Sequence, residues 1–515
     1  MKVILSSKPK SMNNLIKIPE PKLLFGYNQK LEDPRDGLTI FGPLERLRPY
    51  GIISGVISTK QGLEKFKKFL KEIESPIYNR DNTSRPFFPG FNSVFKMEWS
   101  PEKIYHINIE NSELGKCLYY EDVHDRTYYT VSLFADKIIS ANKDDHAGIN
   151  LWVVIVPDEI YEYCRPQSTI KKEQVIIKKS ISKSRAKKLI KEPSIWEEDN
   201  VAAAPYSYEA NFHNQLKARL LKHTLPTQII RESTLSPQDY LNSLGFVKRD
   251  FSKIRGHFAW SISTAAFYKT GGKPWKLADI RKGVCYVGLV FKKDERSSDP
   301  RNACCAAQMF LDSGDGFVFK GAVGPWYNTK FGDFHLKPNQ AEELIKMAIN
   351  TYRSTEGSDP TEIFLHAKTK FDEKEWEGFK RGTGVKTNIV GVTIKDHVPL
   401  KIYRDNSKFP ILRGLAFIDT DQSGYLWTVG FVPRLDTSLA SEVPNPLFVE
   451  INKGSADIQQ VMTDILALTK LNYNACIYAD GKPVTLRFAD KVGDILTSAP
   501  LDKKEAPPLS FKYYI

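Results

Sequence analysis

The 515-residue chain has few cysteines and no long apolar run, and each scarcity narrows what it can be. Its six cysteines, Cys117, Cys164, Cys285, Cys304, Cys305 and Cys476, form no CxxC pair. They frame neither a zinc site nor a disulfide scaffold, and they fit thiols kept reduced. The most apolar stretch runs from Ile149 to Val156. A membrane-spanning helix needs roughly 20 such residues. The N-terminal MKVILSSKPKSMNNLIK has a very short apolar body before its lysines, so it does not read as a signal peptide. A cytoplasmic protein is the expectation. The sequence has no internal repeat and no low-complexity tract. No G-x-G-x-x-G follows a strand, so nothing here predicts dinucleotide chemistry in this chain.

What the chain does have is positive charge. Lys and Arg number 74 against 61 Asp and Glu, a net +13. Such an excess favours a polyanionic partner. Hydrophobic residues at 41% and charged residues at 26% are ordinary globular composition, which excludes a largely disordered chain. The length suits two large domains or three smaller ones. The segment from Lys171 to Lys191 carries nine Lys or Arg residues against one acid, Glu173. It reads either as a solvated connection or as an arm that tracks phosphates. The acids Glu197, Glu198 and Asp199 that follow weaken the second reading.

Patterning predicts an α/β protein. Leu151 to Pro157 is a continuous β-branched run, the pattern of a strand buried on both faces. Similar strands are expected at Thr227–Ile230, Val284–Phe291, Glu362–His366 and Ala475–Tyr478, with helical segments between them. This alternation predicts largely parallel sheets. Leu63–Ile73 reads as an amphipathic helix, and Leu31–Pro43 as turn, short strand, turn.

One constellation carries chemistry. Tyr206–His223 predicts a helix whose buried stripe is Phe212, Leu216 and Leu220. His213 and Lys217 stand one turn apart at the edge of that stripe. A cation beside an imidazole raises the cost of protonating it, and a phosphate between the two relieves that cost. Gln228 lies at the mouth of the next strand, and Lys269 closes a second helix, Arg255–Lys269, before GGKPW. Each residue alone has an ordinary structural explanation, such as a lysine complementing a helix C-terminus. The order of the four is the signal.

That order resembles the guide 5′-phosphate pocket in the MID domain of Argonaute proteins. DPRDGLTIFGP (33–43) resembles the opening of the short prokaryotic Argonautes, which consist of MID and PIWI domains. LKARLL, TQIIRESTL, RDFSKIRGHFAW, YKTGGKPWKL, CYVGLV and SFKYYI resemble the Argonaute subunit of SPARTA systems, where it pairs with a TIR–APAZ chain. The resemblance runs over essentially the whole chain. It implies a Rossmann-like MID domain within residues 1–275 and an RNase H-like PIWI domain over 276–515. It also implies that His213, Lys217, Gln228 and Lys269 hold a guide 5′-phosphate. His213 departs from the Tyr or Arg that many long Argonautes carry. Ile515 would supply a C-terminal carboxylate to a Mg²⁺ at that phosphate.

A PIWI nuclease needs clustered carboxylates around two metal ions. The resemblance places Val290 at the first such position and Lys368 at another, leaving Asp490 as one remaining acid. Asp312 and Asp315 read as turn residues, and the mobile glutamate of the family has no assigned counterpart. The implied protein is catalytically inactive. It would be a guide-RNA-directed sensor of invading single-stranded DNA that activates NAD⁺ hydrolysis in its TIR–APAZ partner by assembly, leading to NAD⁺ depletion and cell death. The alternatives are an active guide-directed nuclease and an α/β enzyme for a phosphorylated small molecule.

Overall fold

The computed structural model describes residues 14–45, 50–78, 87–143, 148–242, 244–247, 254–293, 299, 301–328, 330, 332–396, 398–405, 407–440, 442–500 and 509–515. Residues 1–13, and residues 249–253 of the RDFSKIRGHFAW motif, lie outside them. Two sheets organise the molecule. The first has four strands, all parallel, in the order Ile104–Asn108, Ser54–Ser58, Leu151–Val156 and Thr227–Arg231. Leu151–Val156 is buried along its whole length, as its apolar run predicts. Its side chains alternate. Leu151, Val153 and Ile155 join a core with Phe66, Phe69 and Leu70 of the helix Lys60–Ile73. Trp152, Val154 and Val156 face Phe134 and Ile138 of the helix Val123–Lys143, and Phe212 and Leu216 of the helix Phe212–Leu221. Helices therefore cover both faces in a Rossmann-like sandwich. Gly55 is required beside Trp152, because a Cβ there would come within 2.6 Å of the indole ring.

The second sheet has ten strands and is mixed. Glu362–Ala367 runs parallel to both neighbours, Val284–Lys293 and Asn388–Lys395. Every other adjacent pair is antiparallel. The expectation of largely parallel sheets is therefore corrected here. Tight hairpins such as Leu415–Thr420 with Ser423–Leu426 return the chain at once, and only antiparallel strands can be joined that way. The helices Pro338–Glu356 and Glu373–Thr383 pack on one face through Leu344, Ile345, Trp376 and Phe379. Ile458–Leu468 and Ala489–Thr497 pack on the other. Among the described residues no helix is long and apolar enough to cross a membrane.

Three local expectations change. Ala475–Tyr478 is no strand. Cys476 and Tyr478 are buried in a loop, where Arg35 Nε donates to the Cys476 carbonyl (2.9 Å) and Lys470 Nζ to that of Tyr478 (3.3 Å). Side chains thus take the place of a strand neighbour. Within 31–43, Pro34–Phe41 is a helix. Asp33 caps it by accepting from the Arg35 amide (2.8 Å), and Pro34 occupies its first position. Both favour helix initiation, and they outweigh the glycines that suggested turns. The basic segment is a folded element, with helix Lys183–Lys191 and helix Glu197–Ala203 closing on Ala186, Ala203 and Tyr206. Lys179 pairs with Asp122 (2.9 Å) and Arg185 with Asp199 (2.9 Å).

The N-terminal stretch stitches the two layers together. Leu15–Lys17 is the edge strand of the ten-stranded sheet, and Leu23–Leu24 pairs with Lys276–Leu277. Glu20 lies between two buried cations, accepting from Arg413 Nε (3.0 Å) and Lys470 Nζ (2.8 Å). Burial pushes the Glu20 carboxyl up, but the two cations more than offset that and hold it below its usual range. Removing one member of such a cluster leaves the others charged and unpaired, at about 3–5 kcal/mol. Glu20→Ala is therefore expected to destabilise the protein by that amount in urea unfolding at pH 7. Because the folded pKa is depressed, the difference between wild type and variant should shrink as the pH falls through the Glu20 pKa.

Candidate anion-binding site

The site is built from one helix edge outward. Asn211 starts the helix Phe212–Leu221 by accepting from the Asn214 amide (3.2 Å). Phe212, Leu216 and Leu220 go to the core, as their spacing predicts, and the same turn carries Lys217 inward until it is 2% exposed. Lys217 Nζ donates to the Thr227 carbonyl (3.4 Å) and to the main-chain oxygen of Ile515. Lys269, also 2% exposed, ends the helix Arg255–Lys269 and donates to Gln228 Oε1 on the adjoining strand. The tail behind Ile515 is tucked in, with Phe511 and Tyr514 buried. The structure thus brings together His213, Lys217, Gln228, Lys269 and Ile515.

The electrostatics are one-sided. Burial pushes Lys217 down to about 7, and Lys491 adds to the effect. Burial and then Lys217 hold Lys269 well below the usual lysine range. His213 is exposed to solvent, yet protein packed around its ring desolvates it. That burial, then Lys217, Lys269 and Lys491, push the imidazole down to about 3 against a hydrogen bond with Asn214 Oδ1 (3.2 Å). Among the described residues no Asp or Glu bonds to His213, Lys217 or Lys269. Clustered buried cations repel one another and are costly, and an entering anion that accepts several charge-assisted hydrogen bonds offsets the cost.

Lys491 is the residue that sequence reasoning missed. It comes from the helix Ala489–Thr497, in a stretch read for nuclease carboxylates. No local pattern marks it, because its role arises only where that helix packs against Phe212–Leu221.

The positions expected of a nuclease lie elsewhere. Lys368 follows the strand Glu362–Ala367, and its Nζ donates to both carboxylate oxygens of Asp490 (3.1 and 3.1 Å). Val290 lies in Val284–Lys293 opposite Ala306, and its side chain is outside the described residues. Asp312 accepts from the Gly283 amide (3.2 Å) and the Tyr352 hydroxyl (3.3 Å), and Asp315 from Lys273 Nζ (3.0 Å). Both are tied to their own turn and its neighbours. Among the described residues no group of three or more His, Cys, Asp or Glu side chains could hold a metal ion.

With this geometry in view, the comparisons with known proteins are informative. No protein-family model matches the chain, and no curated protein matches it. Solved structures do. Clostridium butyricum Argonaute, solved with a guide DNA and a 19-mer target DNA, matches over 97% of this chain and 54% of its own, with TM-score 0.62 and 14% identity. Drosophila Piwi matches over 97% and 56%, with TM-score 0.56 and 12% identity. Aquifex aeolicus Argonaute matches over 97% and 57%, with TM-score 0.52 and 16% identity. At such identities the likeness is one of fold. The expected α/β order, Rossmann-like MID and then RNase H-like PIWI, is borne out. The chain spans about half the length of the Argonaute structures it matches.

The suppressed lysine gives a direct test. Lys217 titrates near 7 when folded. An unfolded lysine titrates near 10.4. Between those values the unfolded state binds more protons, so this residue makes stability rise with pH. Lys217→Met should remove that part of the slope between pH 7.5 and 9.5 in urea unfolding. Inorganic phosphate should flatten the wild-type slope by raising the folded pKa, and should change the variant's slope less, since only Lys269 remains to respond.

Proposed function

We propose that this chain is the MID–PIWI subunit of a guide-directed nucleic-acid sensor, with the lysine cluster as its guide-end pocket. The observation that carries the reading is the convergence of buried Lys217 and Lys269 with His213 and Gln228, with no Asp or Glu bonded to them among the described residues. A terminal phosphate monoester supplies the missing charge and enough acceptor oxygens for all four side chains. The likeness in fold to an Argonaute solved with guide and target supports the assignment. The guide is a 5′-phosphorylated RNA and the target single-stranded DNA of an invading plasmid or phage. Base pairing would carry the sequence specificity while the protein holds backbone and shape. An accessory Mg²⁺ at the phosphate would find a protein oxygen at Ile515, the atom that Lys217 now holds. Guide binding with and without EDTA tests that contribution. Charge-assisted hydrogen bonds are worth about 1.5–3 kcal/mol each. Lys217→Ala and Lys269→Ala should each weaken a 5′-phosphorylated guide by roughly ten- to hundredfold. A 5′-hydroxyl guide should be affected much less, and equal losses for the two guides would remove the pocket from the reading.

The second half of the proposal is that recognition is passed on without cutting. Its support is Lys368, a cation placed against the one remaining carboxylate, Asp490. A lysine there repels the metal ions that phosphodiester hydrolysis requires. A sensor that does not cut acts by favouring one state of a larger assembly over another. The partner proposed is a TIR–APAZ protein whose TIR domains hydrolyse NAD⁺ when target-bound heterodimers assemble. Guide-directed cleavage of labelled DNA or RNA by the purified chain should be undetectable with Mg²⁺ or Mn²⁺. The heterodimer should hydrolyse NAD⁺ only with both guide RNA and complementary DNA present. Cleavage by the unmodified chain would favour the active-nuclease alternative, and full NADase activity with guide alone would make this subunit a scaffold.

A further inference from the structure

A second recess lies between the start of the helix Val123–Lys143 and the segment 177–202, and it has the opposite character. It is a cavity of about 490 Å³ whose wall includes Tyr120, Asp125, Tyr129, Glu197, Glu198 and Val201. The rings of Tyr120 and Tyr129 stack with their centres 4.8 Å apart. Asp125 is 4% exposed, yet it makes no hydrogen bond and no ion pair among the described residues. Lys179 is near enough to act on it but is paired with Asp122 at 2.9 Å. Burial and the Asp122 charge raise the Asp125 carboxyl to about 6, so it is still mostly ionised at pH 7.5. The N-terminus of the helix favours a negative charge at this position. It does not supply the donors that a buried carboxylate needs. The exposed acids Glu197 and Glu198 add negative charge, and Lys178 stands against them on the same wall. On a chain of net charge +13 this recess is set up for a cation.

The chemistry narrows the cation. No group of three or more His, Cys, Asp or Glu among the described residues suits a metal ion. The remaining wall is aromatic and aliphatic, with Tyr120, Tyr129, Ile177 and Val201. Aromatic faces attract organic cations, and the volume falls within the range of small-molecule pockets. We infer that this cavity binds a small organic cation, a guanidinium or alkylammonium group on an apolar stem, with the Asp125 carboxylate accepting its hydrogen bonds and the Tyr120, Tyr129 and Val201 side chains covering the stem.

Calorimetry on the full chain with agmatine, and with N-butylurea as a neutral analogue, tests the inference. Agmatine should bind saturably at one site, at least tenfold more tightly than the urea. Asp125→Asn, nearly isosteric, should weaken agmatine at least tenfold. The exposed pair Glu197→Gln and Glu198→Gln should weaken it severalfold and serves as the second variant if Asp125→Asn unfolds. No saturable binding up to about 10 mM, a limit near −3 kcal/mol, would overturn the site. So would equal binding of the two probes, or affinity unchanged in both variants.

Discussion

Two buried lysines with no Asp or Glu partner among the described residues set the terms for the rest of this molecule. Lys217 and Lys269 are each 2% exposed; Lys217 bonds to main-chain oxygens of Thr227 and Ile515, Lys269 to the Gln228 amide oxygen, and Lys491 adds positive charge nearby. A protein that needed only stability would place apolar side chains at both positions. The fold instead assembles the cluster from four distant parts of the chain: the helix Phe212–Leu221, the helix Arg255–Lys269, the helix Ala489–Thr497 and the tail at Ile515. The two layers meet at this cluster. A ligand that binds there reports on the packing of both.

Much of the first layer was legible because its signals are local. The run from Leu151 to Val156 is apolar and β-branched throughout, and such a run has few alternatives to a buried strand. The helix Phe212–Leu221 declared itself by the spacing of Phe212, Leu216 and Leu220, although it begins six residues after the expected start, where the 3₁₀ turn Ala204–Ser207 comes first. The four cluster residues within 213–269 could be proposed from their order. Lys491 could not, because nothing in the surrounding residues distinguishes a lysine that lines a pocket from one that faces water. The misread segments differ in cause. At Pro34–Phe41 a cap and a proline overrode the glycines, and at Ala475–Tyr478 buried apolar residues satisfied their carbonyls with Arg35 and Lys470 from afar. The mixed second sheet was missed because apolar periodicity carries no information on strand direction.

Lys368 and Asp490 form an ion pair beside the strand Glu362–Ala367. Their ion pair is half-exposed, and pairs of that kind contribute little to stability. Its geometry is bidentate: one ammonium group donates to both oxygens of the Asp490 carboxylate. The packing around it is dense. His366 remains fully buried beneath and bonded to Thr485 Oγ1 (2.9 Å), and Gly288 still admits the Thr485 carbonyl at close range.

The strand Leu15–Lys17 has a consequence for how the chain is made. Its neighbour in the ten-stranded sheet, Leu415–Thr420, lies about 400 residues later. Translation at about 5–20 residues per second separates their appearance by roughly 20–80 seconds. For that interval an unpaired strand leaves the ribosome ahead of its partner, and the Rossmann-like layer completes first. An unpaired strand of this kind is a site for pairing with another chain. Glu20, three residues beyond it, ends between Arg413 and Lys470 in the finished protein, so this edge of the sheet and its buried ion cluster both wait for the same late part of the chain. The first described strand thus waits for a partner from late in the chain, and a chaperone that shields this segment would act at the ribosome rather than on the completed fold.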